Sequence, residues 1–202
     1  MKTTAAPSSS STPSKLHKGA GEVRIIGGQW RRTKLPVALK PGLRPTPDRV
    51  RETLFNWLGQ SLQGWRCVDA FAGTGALGLE AASRGAAQVQ LCEQDAGLVQ
   101  QLKAQVERLK ATTVQVQRTD GVAYLKQLGS ASVDLIFLDP PFDSALFEPS
   151  LQAAAQAVKA DGWVYLEAPV VWTDEALAPW GLQQHRHLKA GTVHAHLLRR
   201  IA

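Results

Sequence analysis

The chain is poor in cysteine, in long apolar runs and, over its first quarter, in acids. Only Cys67 and Cys92 occur. Each sits in a stretch that reads as a buried strand, so they suggest neither a disulfide framework nor a C-x-x-C metal site, and a reducing cytoplasm suits them. No apolar run approaches the roughly 18 residues a membrane-crossing helix needs, so no membrane partner is expected. Residues 1–20 are Ser, Thr, Pro, Ala and Lys with almost nothing apolar. Such a segment cannot offset the entropy of ordering and is expected to be a disordered tail. Without an apolar h-region it is not a secretory signal. Its Ser-rich, acid-poor character weakly resembles an organelle transit peptide, but an amphipathic helical period is missing.

The shortage of acids is local. Residues 1–51 hold eleven Lys/Arg and two acids, a net +9, whereas the remaining 151 hold twelve Lys/Arg and fifteen acids, a net −3. A basic front on a mildly acidic body points to a polyanion held by the front; the plainer alternative is a basic tail that serves solubility. At 202 residues, 44% hydrophobic and 20% charged, the chain suits one α/β domain with a short appendage.

Val23–Val37 reads as a strand, a Gly27-Gly28 turn and a second strand, with Arg24, Arg31, Arg32 and Lys34 around Trp30. Cations for phosphates and an indole for stacking suit nucleic acid. An edge hairpin with Trp30 packed on the domain is the other reading, and the two are compatible. After the linker Pro41–Pro45, Thr46 is expected to cap a helix with Pro47 at its first position and Asp48 in its first turn. Val50, Leu54, Trp57 and Leu58 should face the core, with Arg49, Glu52 and Asn56 elsewhere and Gly59 as the stop. Strands then alternate with helices. Cys67–Phe71, Val89–Glu93, Val114–Thr119, Val133–Asp139 and Trp163–Glu167 read as strands. Helices are expected through about Ser83, from Asp95 to Lys110, through Leu128 and from Ala145 to Val158. This alternation predicts a doubly wound, mostly parallel sheet. Leu182–Leu188 and Val193–Arg200 flank Ala190-Gly191 and read as an antiparallel hairpin. A two-residue turn at Ala190-Gly191 pairs 187 with 194 and 185 with 196, placing His185, His187, His194 and His196 on one face. That face could take a transition metal or simply be solvated or RNA-facing; no metal is included in the expected site.

Three motifs carry chemistry. Gly73, Gly75 and Gly78 satisfy G-x-G-x-x-G between a strand and a helix, where a ligand approaches the backbone closely. Dinucleotide-binding folds share that spacing. Asp69 before the loop would repel a pyrophosphate and suit a cationic ligand; Glu93, closing the next strand, can accept from ribose hydroxyls in either case. Asp120-Gly121 follows the third strand, and its carboxylate can accept from an adenine amino group or cap the next helix. The third motif is Asp139-Pro140-Pro141-Phe142, which ends a continuous apolar strand. An amino group on a nucleobase is a poor nucleophile because its lone pair is delocalised. Two acceptors on its hydrogens, the Asp139 carboxylate and the Pro140 carbonyl, would draw that pair out of plane, and Phe142 would stack the ring.

The strand–helix order, the Asp69–Gly75 loop and the Asp139–Phe142 turn resemble class I S-adenosylmethionine-dependent methyltransferases acting on exocyclic amines. Arg24–Arg31 and Gly42–Leu58 are similar to the bacterial small-subunit rRNA guanine-N2 methyltransferases of the RsmD type, over about residues 22–200. The resemblance implies S-adenosyl-L-methionine as cofactor and a seven-stranded Rossmann-like sheet of order 3-2-1-4-5-7-6. Its divisions would be a tail (1–20), a basic hairpin and helix that binds RNA or closes the site (21–60) and a methyltransferase domain (61–202). Asp69, Phe71, Gly73 and Gly75 would line the methionine side, Glu93 the ribose, and Asp120 with Gly121 the adenine. Asp139, Pro140 and Phe142 would hold the guanine; Arg44, Thr46 and Arg49 would close the site or touch RNA. The implied partner is 16S rRNA or a small-subunit assembly intermediate, met by a cytoplasmic monomer. Within the residues alone, DNA amino-methyltransferase, protein-glutamine methyltransferase, NAD-dependent dehydrogenase and non-catalytic nucleic-acid-binding readings stay open.

Overall fold

The computed structural model describes residues 21–38, 40 and 46–201. The expected tail and Arg44 lie outside them. In chain order the elements are β1 (Glu22–Arg24), β2 (Lys34–Pro36), α1 (Asp48–Trp57), β3 (Arg66–Asp69), α2 (Ala76–Ser83), β4 (Gln88–Glu93), α3 (Ala96–Arg108), β5 (Val114–Arg118), α4 (Gly121–Gln127), β6 (Val133–Leu138), α5 (Phe147–Ala157), β7 (Val158–Ala168), α6 (Asp174–Leu177), a 3₁₀ turn (Ala178–Trp180), β8 (Leu182–Ala190) and β9 (Val193–Arg200). Seven strands form one sheet in the order β5-β4-β3-β6-β7-β9-β8. β3 to β7 are parallel, and β9 runs antiparallel to both β7 and β8. Counted from β3, this is the 3-2-1-4-5-7-6 order.

β6 sits at the centre, and Leu135, Ile136, Phe137 and Leu138 are all fully buried, as its unbroken apolar run demands of a strand covered on both faces. Phe137 and Leu135 pack with Leu54, Phe55, Leu79 and Leu102 under α1, α2 and α3, while Ile136 and Leu138 pack with Val122, Leu125, Leu151 and Leu177 under α4, α5 and α6. Each such fully buried side chain contributes about 1.5–3 kcal/mol. Asp95 caps α3 by accepting from the Leu98 amide at 2.9 Å, and Asp120 caps α4 by accepting from Ala123 at 2.7 Å. These bonds satisfy amides the helix leaves unpaired.

Several local expectations are corrected. Thr46 does not cap α1: Pro47 occupies the cap position with no side-chain bond, and the Thr46 hydroxyl is committed elsewhere, as described below. Gly27-Gly28 is not a tight turn. Residues 25–33 form a longer loop because the Gly28 backbone presses on Ser83, whose carbonyl accepts from the Gln29 amide at 2.8 Å. β7 begins at Val158 rather than Trp163, with a register break opposite Val133–Leu135. The C-terminal hairpin turns at Gly191-Thr192, one residue later than expected, since Ala190 pairs with Val193. An extra residue in β8 between Gln184 and Arg186 then breaks the alternation of faces. His185 packs over Trp163, ring centroids 5.0 Å apart, while His187, His194 and His196 cluster on the opposite face. Among the described residues no three His, Cys, Asp or Glu side chains form a metal-holding group.

Candidate active site

The parallel strands end side by side, and every one of them ends in a carboxylate. Along the sheet they read Asp120 after β5, Glu93 on β4, Asp69 on β3, Asp139 after β6 and Glu167 on β7. The carboxyl edge of an open α/β sheet is where ligands bind, and here that edge is a row of acids. Three of them crowd together at its centre. Asp69 is 1% exposed; Oδ2 accepts from the Gly78 amide at 3.0 Å, and Oδ1 has no partner among the described residues. Burial pushes its carboxyl up to about 7, amides of Gly78 and Phe71 pull it back, and the charges of Glu93 and Glu167 add to the rise. Burial, then Glu167 and Asp69, hold Asp139 well above the usual carboxylate range. Burial also raises Glu167, against the pull of its bonds to Thr46 and Tyr165 and of the Arg51 charge. A small cavity that resists holding its own negative charges is one that a cation would stabilise.

The flanks are more fully bonded. Glu93 accepts from the Gly73 amide at 3.0 Å and from the Asp95 amide at 2.8 Å. Asp120 accepts from the Gln94 side chain at 2.6 Å as well as capping α4, so its capping role is realised. Gly75 has φ +78°, the left-handed turn needed to swing the loop from β3 into α2, and a Cβ there would meet Leu102 at 2.6 Å. A Cβ at Gly121 would stand 1.9 Å from the Ala70 carbonyl, so the start of α4 has room only for glycine against the β3 turn. Phe71 and Phe142 are half-buried, Pro140 is buried, and the exposed Pro141 carbonyl accepts from the Ser144 amide at 3.0 Å, which stiffens the turn.

The front end enters this bay at one point. Thr46 is 4% exposed and its hydroxyl donates to Glu167 Oε1 at 2.5 Å, an oxygen that also accepts from Tyr165 at 2.9 Å. The expected RNA side chains Arg24, Arg31, Arg32, Lys34 and Arg49 are all exposed, and Trp30 is half-buried against the core. Arg24 lies 3.7 Å from Asp48 and Lys34 pairs with Glu22 at 2.8 Å. A cleft of about 450 Å³ opens between the hairpin loop and α1, with Arg31, Glu52, Asn56 and Arg84 in its walls and none of the five row acids.

Four site residues escape the motif reading. Glu167 and Tyr165 lie on β7, and Glu167 obeys the rule that singles out Asp139: a carboxylate at the end of an apolar strand. Arg51 and Glu80 carry no such signal. Arg51 is fully buried inside α1, donates to the Thr46 carbonyl at 3.2 Å, pairs with Asp48 at 2.6 Å and lies 3.5 Å from Glu80. Glu80, also fully buried, accepts from the amides of Ile26 and Gly27 and from Arg84. One buried polar chain thus runs from the hairpin loop through Glu80, Arg51 and Thr46 to Glu167.

This arrangement agrees with comparisons to known proteins. The family described as "Conserved hypothetical protein 95" matches residues 23–199. Ribosomal RNA small subunit methyltransferase D of Escherichia coli (strain K12) is 44% identical over 193 residues, covering 92% of this chain and 94% of that protein. The chain belongs to this family. The Haemophilus influenzae methyltransferase D is 43% identical over 152 residues, covering 73% of this chain and 79% of that one. The solved structure of yhhF from Escherichia coli superposes with a TM-score of 0.76 at 39% identity, over 90% of this chain and 99% of its own. The methyltransferase D family membership accounts for a Rossmann-like sheet with an antiparallel C-terminal hairpin. No helix among the described residues is long and apolar enough to cross a membrane.

Proposed function

We propose that the protein transfers a methyl group from S-adenosyl-L-methionine to the exocyclic N2 amine of a guanine in small-subunit (16S) ribosomal RNA. The observation that carries the reading is the Asp139–Pro140 pair of acceptors on the rigid end of β6, inside a bay whose acids suit a cation. The names of the relatives support rRNA as substrate class.

The residues fit the cofactor on their own terms. Asp69 Oδ1, buried and without a partner among the described residues, is an acceptor for an ammonium group. Glu93 would hold ribose hydroxyls, Asp120 and Gly121 the adenine, and Phe71, Gly73 and Gly75 the methionine side. When bound, S-adenosyl-L-methionine supplies an electrophilic methyl on a positively charged sulfur. Asp139 and the Pro140 carbonyl accept the two N2 hydrogens and draw the nitrogen lone pair out of the ring plane, with Phe142 against the base. Asp139 is placed to take the proton that the nitrogen would release on methylation. Glu167, fixed by Thr46 and Tyr165, is one of the groups that raise the proton affinity of Asp139 and so favours that uptake. Residues 21–60 serve as the RNA-gripping, site-closing extension to a monomeric, cytoplasmic 61–202 domain. A guanine held in a helix must be extruded to reach the bay.

The test is labelled-methyl transfer to 16S rRNA and to small subunits from cells lacking the enzyme, with the base mapped by primer extension and nucleoside chromatography. Wild type is expected to yield N2-methylguanine, and Asp139→Ala to lose about 10³-fold in rate while still binding S-adenosylhomocysteine. Label on adenine, cytosine or DNA would overturn the substrate; an active Asp139→Ala would overturn its role.

A further inference from the structure

The row of acids stops at β7, and the sheet does not. β9 and β8 follow, and because β9 runs antiparallel to β7 the Gly191-Thr192 turn lies at the same edge as the candidate site. Glu167 pairs with Ala195, and one residue nearer the edge Ala168 pairs with His194 and His194 with Lys189, so an imidazole and an ammonium stand just beyond the acid row, on the other face of the sheet. With neighbouring strands about 4.8 Å apart, these two strands lie on the order of 10–15 Å from Asp139. Residues 182–202 contain Arg186, Lys189, Arg199, Arg200 and four histidines, and not one acid. Charge summed over residues 52–202 conceals this local excess.

The tip has the texture of a nucleic-acid surface. Arg186, His187 and Lys189 are exposed, and among the described residues neither Arg186 nor Lys189 pairs with a carboxylate. The rings of His187 and His194 lie 13° from parallel with centroids 5.2 Å apart. Beside them, Val170 and Val171 are 58% and 46% exposed. Their loop is pinned to β9 where the Trp172 amide donates to His196 Nε2 at 3.1 Å. Of the acids on packed elements, Glu167 points to the other face and is bonded to Thr46 and Tyr165, and Asp174 is engaged by the Gln184 amide at the opposite end of β8. Unpaired cations reach phosphates, and flat imidazoles with bare apolar surface take unstacked bases.

We propose that the tip of the β8–β9 hairpin is a second RNA-contact surface, on which His187, Lys189 and His194 from one face, with Arg186 on the other face of the edge strand β8, hold nucleotides flanking the base presented to Asp139. The inference rests on RNA being the substrate, as proposed above. It is tested with Arg186→Glu/Lys189→Glu in the full chain, measuring methyl transfer and, separately, the affinity of a labelled 16S rRNA fragment against salt. The expected result is a KM and an RNA Kd about tenfold higher, a salt slope smaller by about 2, and unchanged kcat, melting temperature and S-adenosylhomocysteine affinity. Unchanged RNA affinity and slope beside an active wild type would overturn the surface. A loss on assembled subunits with none on naked RNA would also overturn it, by assigning the hairpin to a ribosomal protein. If wild type methylates no RNA and charge reversal still weakens RNA binding, the reaction assignment fails and the surface stands.

Discussion

The acidic bay at the sheet's carboxyl edge and the basic surfaces outside it are chemical opposites. In the bay, desolvation makes Asp69, Asp139 and Glu167 resist ionisation, and neighbouring acids add to the effect at the first two. Outside it, Arg31 and Arg32 on the loop packed against Ser83 at the far end of α2, and Arg186 and Lys189 on the β8–β9 hairpin, stand in solvent. The proposed ligands are opposites too: a small cation and a long polyanion. An acid-lined bay favours the sulfonium and ammonium of the first and repels the phosphates of the second, so only an uncharged base can enter while the backbone is held outside. Separating the charges in space lets one protein take both ligands. Glu80 and Arg51 are the exception, a buried pair joining basic front to acidic middle.

Breaking that join is expected to have the largest effect. Glu80→Ala leaves the buried Arg51 with Asp48 as its remaining carboxylate, takes the 2.8 Å partner from Arg84 and leaves the Ile26 and Gly27 amides without their acceptor. Loss of one partner from a buried ion pair costs about 3–5 kcal/mol. Chemical denaturation should register that loss, and protease cleavage within 25–33 should quicken. A stable variant with a protected loop would show that the front end is held by its apolar contacts alone.

A second prediction sharpens the acidic side through pH. The Asp69 carboxyl, raised to about 7 from 3.8, is protonated in the folded ligand-free protein where the unfolded chain is ionised. Its stabilising effect is therefore present at low pH and lost as pH rises through about 7. A bound cation has the opposite preference, for the ionised form. S-adenosylhomocysteine affinity should fall by about tenfold per pH unit below 7, and its thermal shift should be larger at pH 8 than at pH 6. Asp69→Asn should flatten the profile and weaken binding at pH 8. A pH-independent shift in wild type would remove Asp69 from the ligand's charge.

How much of this can be read from residues depends on whether the signal is local. The β6 run and its Asp-Pro-Pro stop, the glycine loop and the acids after β4 and β5 are written in adjacent letters, and each element stands where the pattern puts it. Thr46 misleads because a threonine before Pro-Asp is the ordinary sign of a cap; the competing acceptor, Glu167, is 121 residues away. Arg51 looks like a surface charge of an amphipathic helix and Glu80 is the one charge in a small, apolar helix, and only the fold brings them together in the core. The histidine face fails by one residue, since a turn at Gly191-Thr192 and one extra residue in β8 shift every pairing beyond it. The acidic row could have been completed by extending to β7 the rule applied to β6. The basic hairpin needed the antiparallel order of β9 to bring its tip to the site edge.

The finest comparison is between the two basic surfaces. Arg31→Ala/Arg32→Ala removes two exposed cations from the front loop, and Arg186→Glu/Lys189→Glu reverses two on the hairpin. Each exposed phosphate contact changes the salt slope by about 1, so the front-loop pair alone should flatten it by about 2 and weaken binding uniformly across RNA sequences. If the surfaces grip separate stretches of one RNA, the two changes should add in log Kd, because sites that share no partners act independently. A combined variant no weaker than the worse of its parents would mean that one surface dominates and the other is idle. Isothermal titration of one 16S rRNA fragment at three salt concentrations, for all four proteins, distinguishes these outcomes, while S-adenosylhomocysteine affinity should stay constant because neither surface touches the acid row.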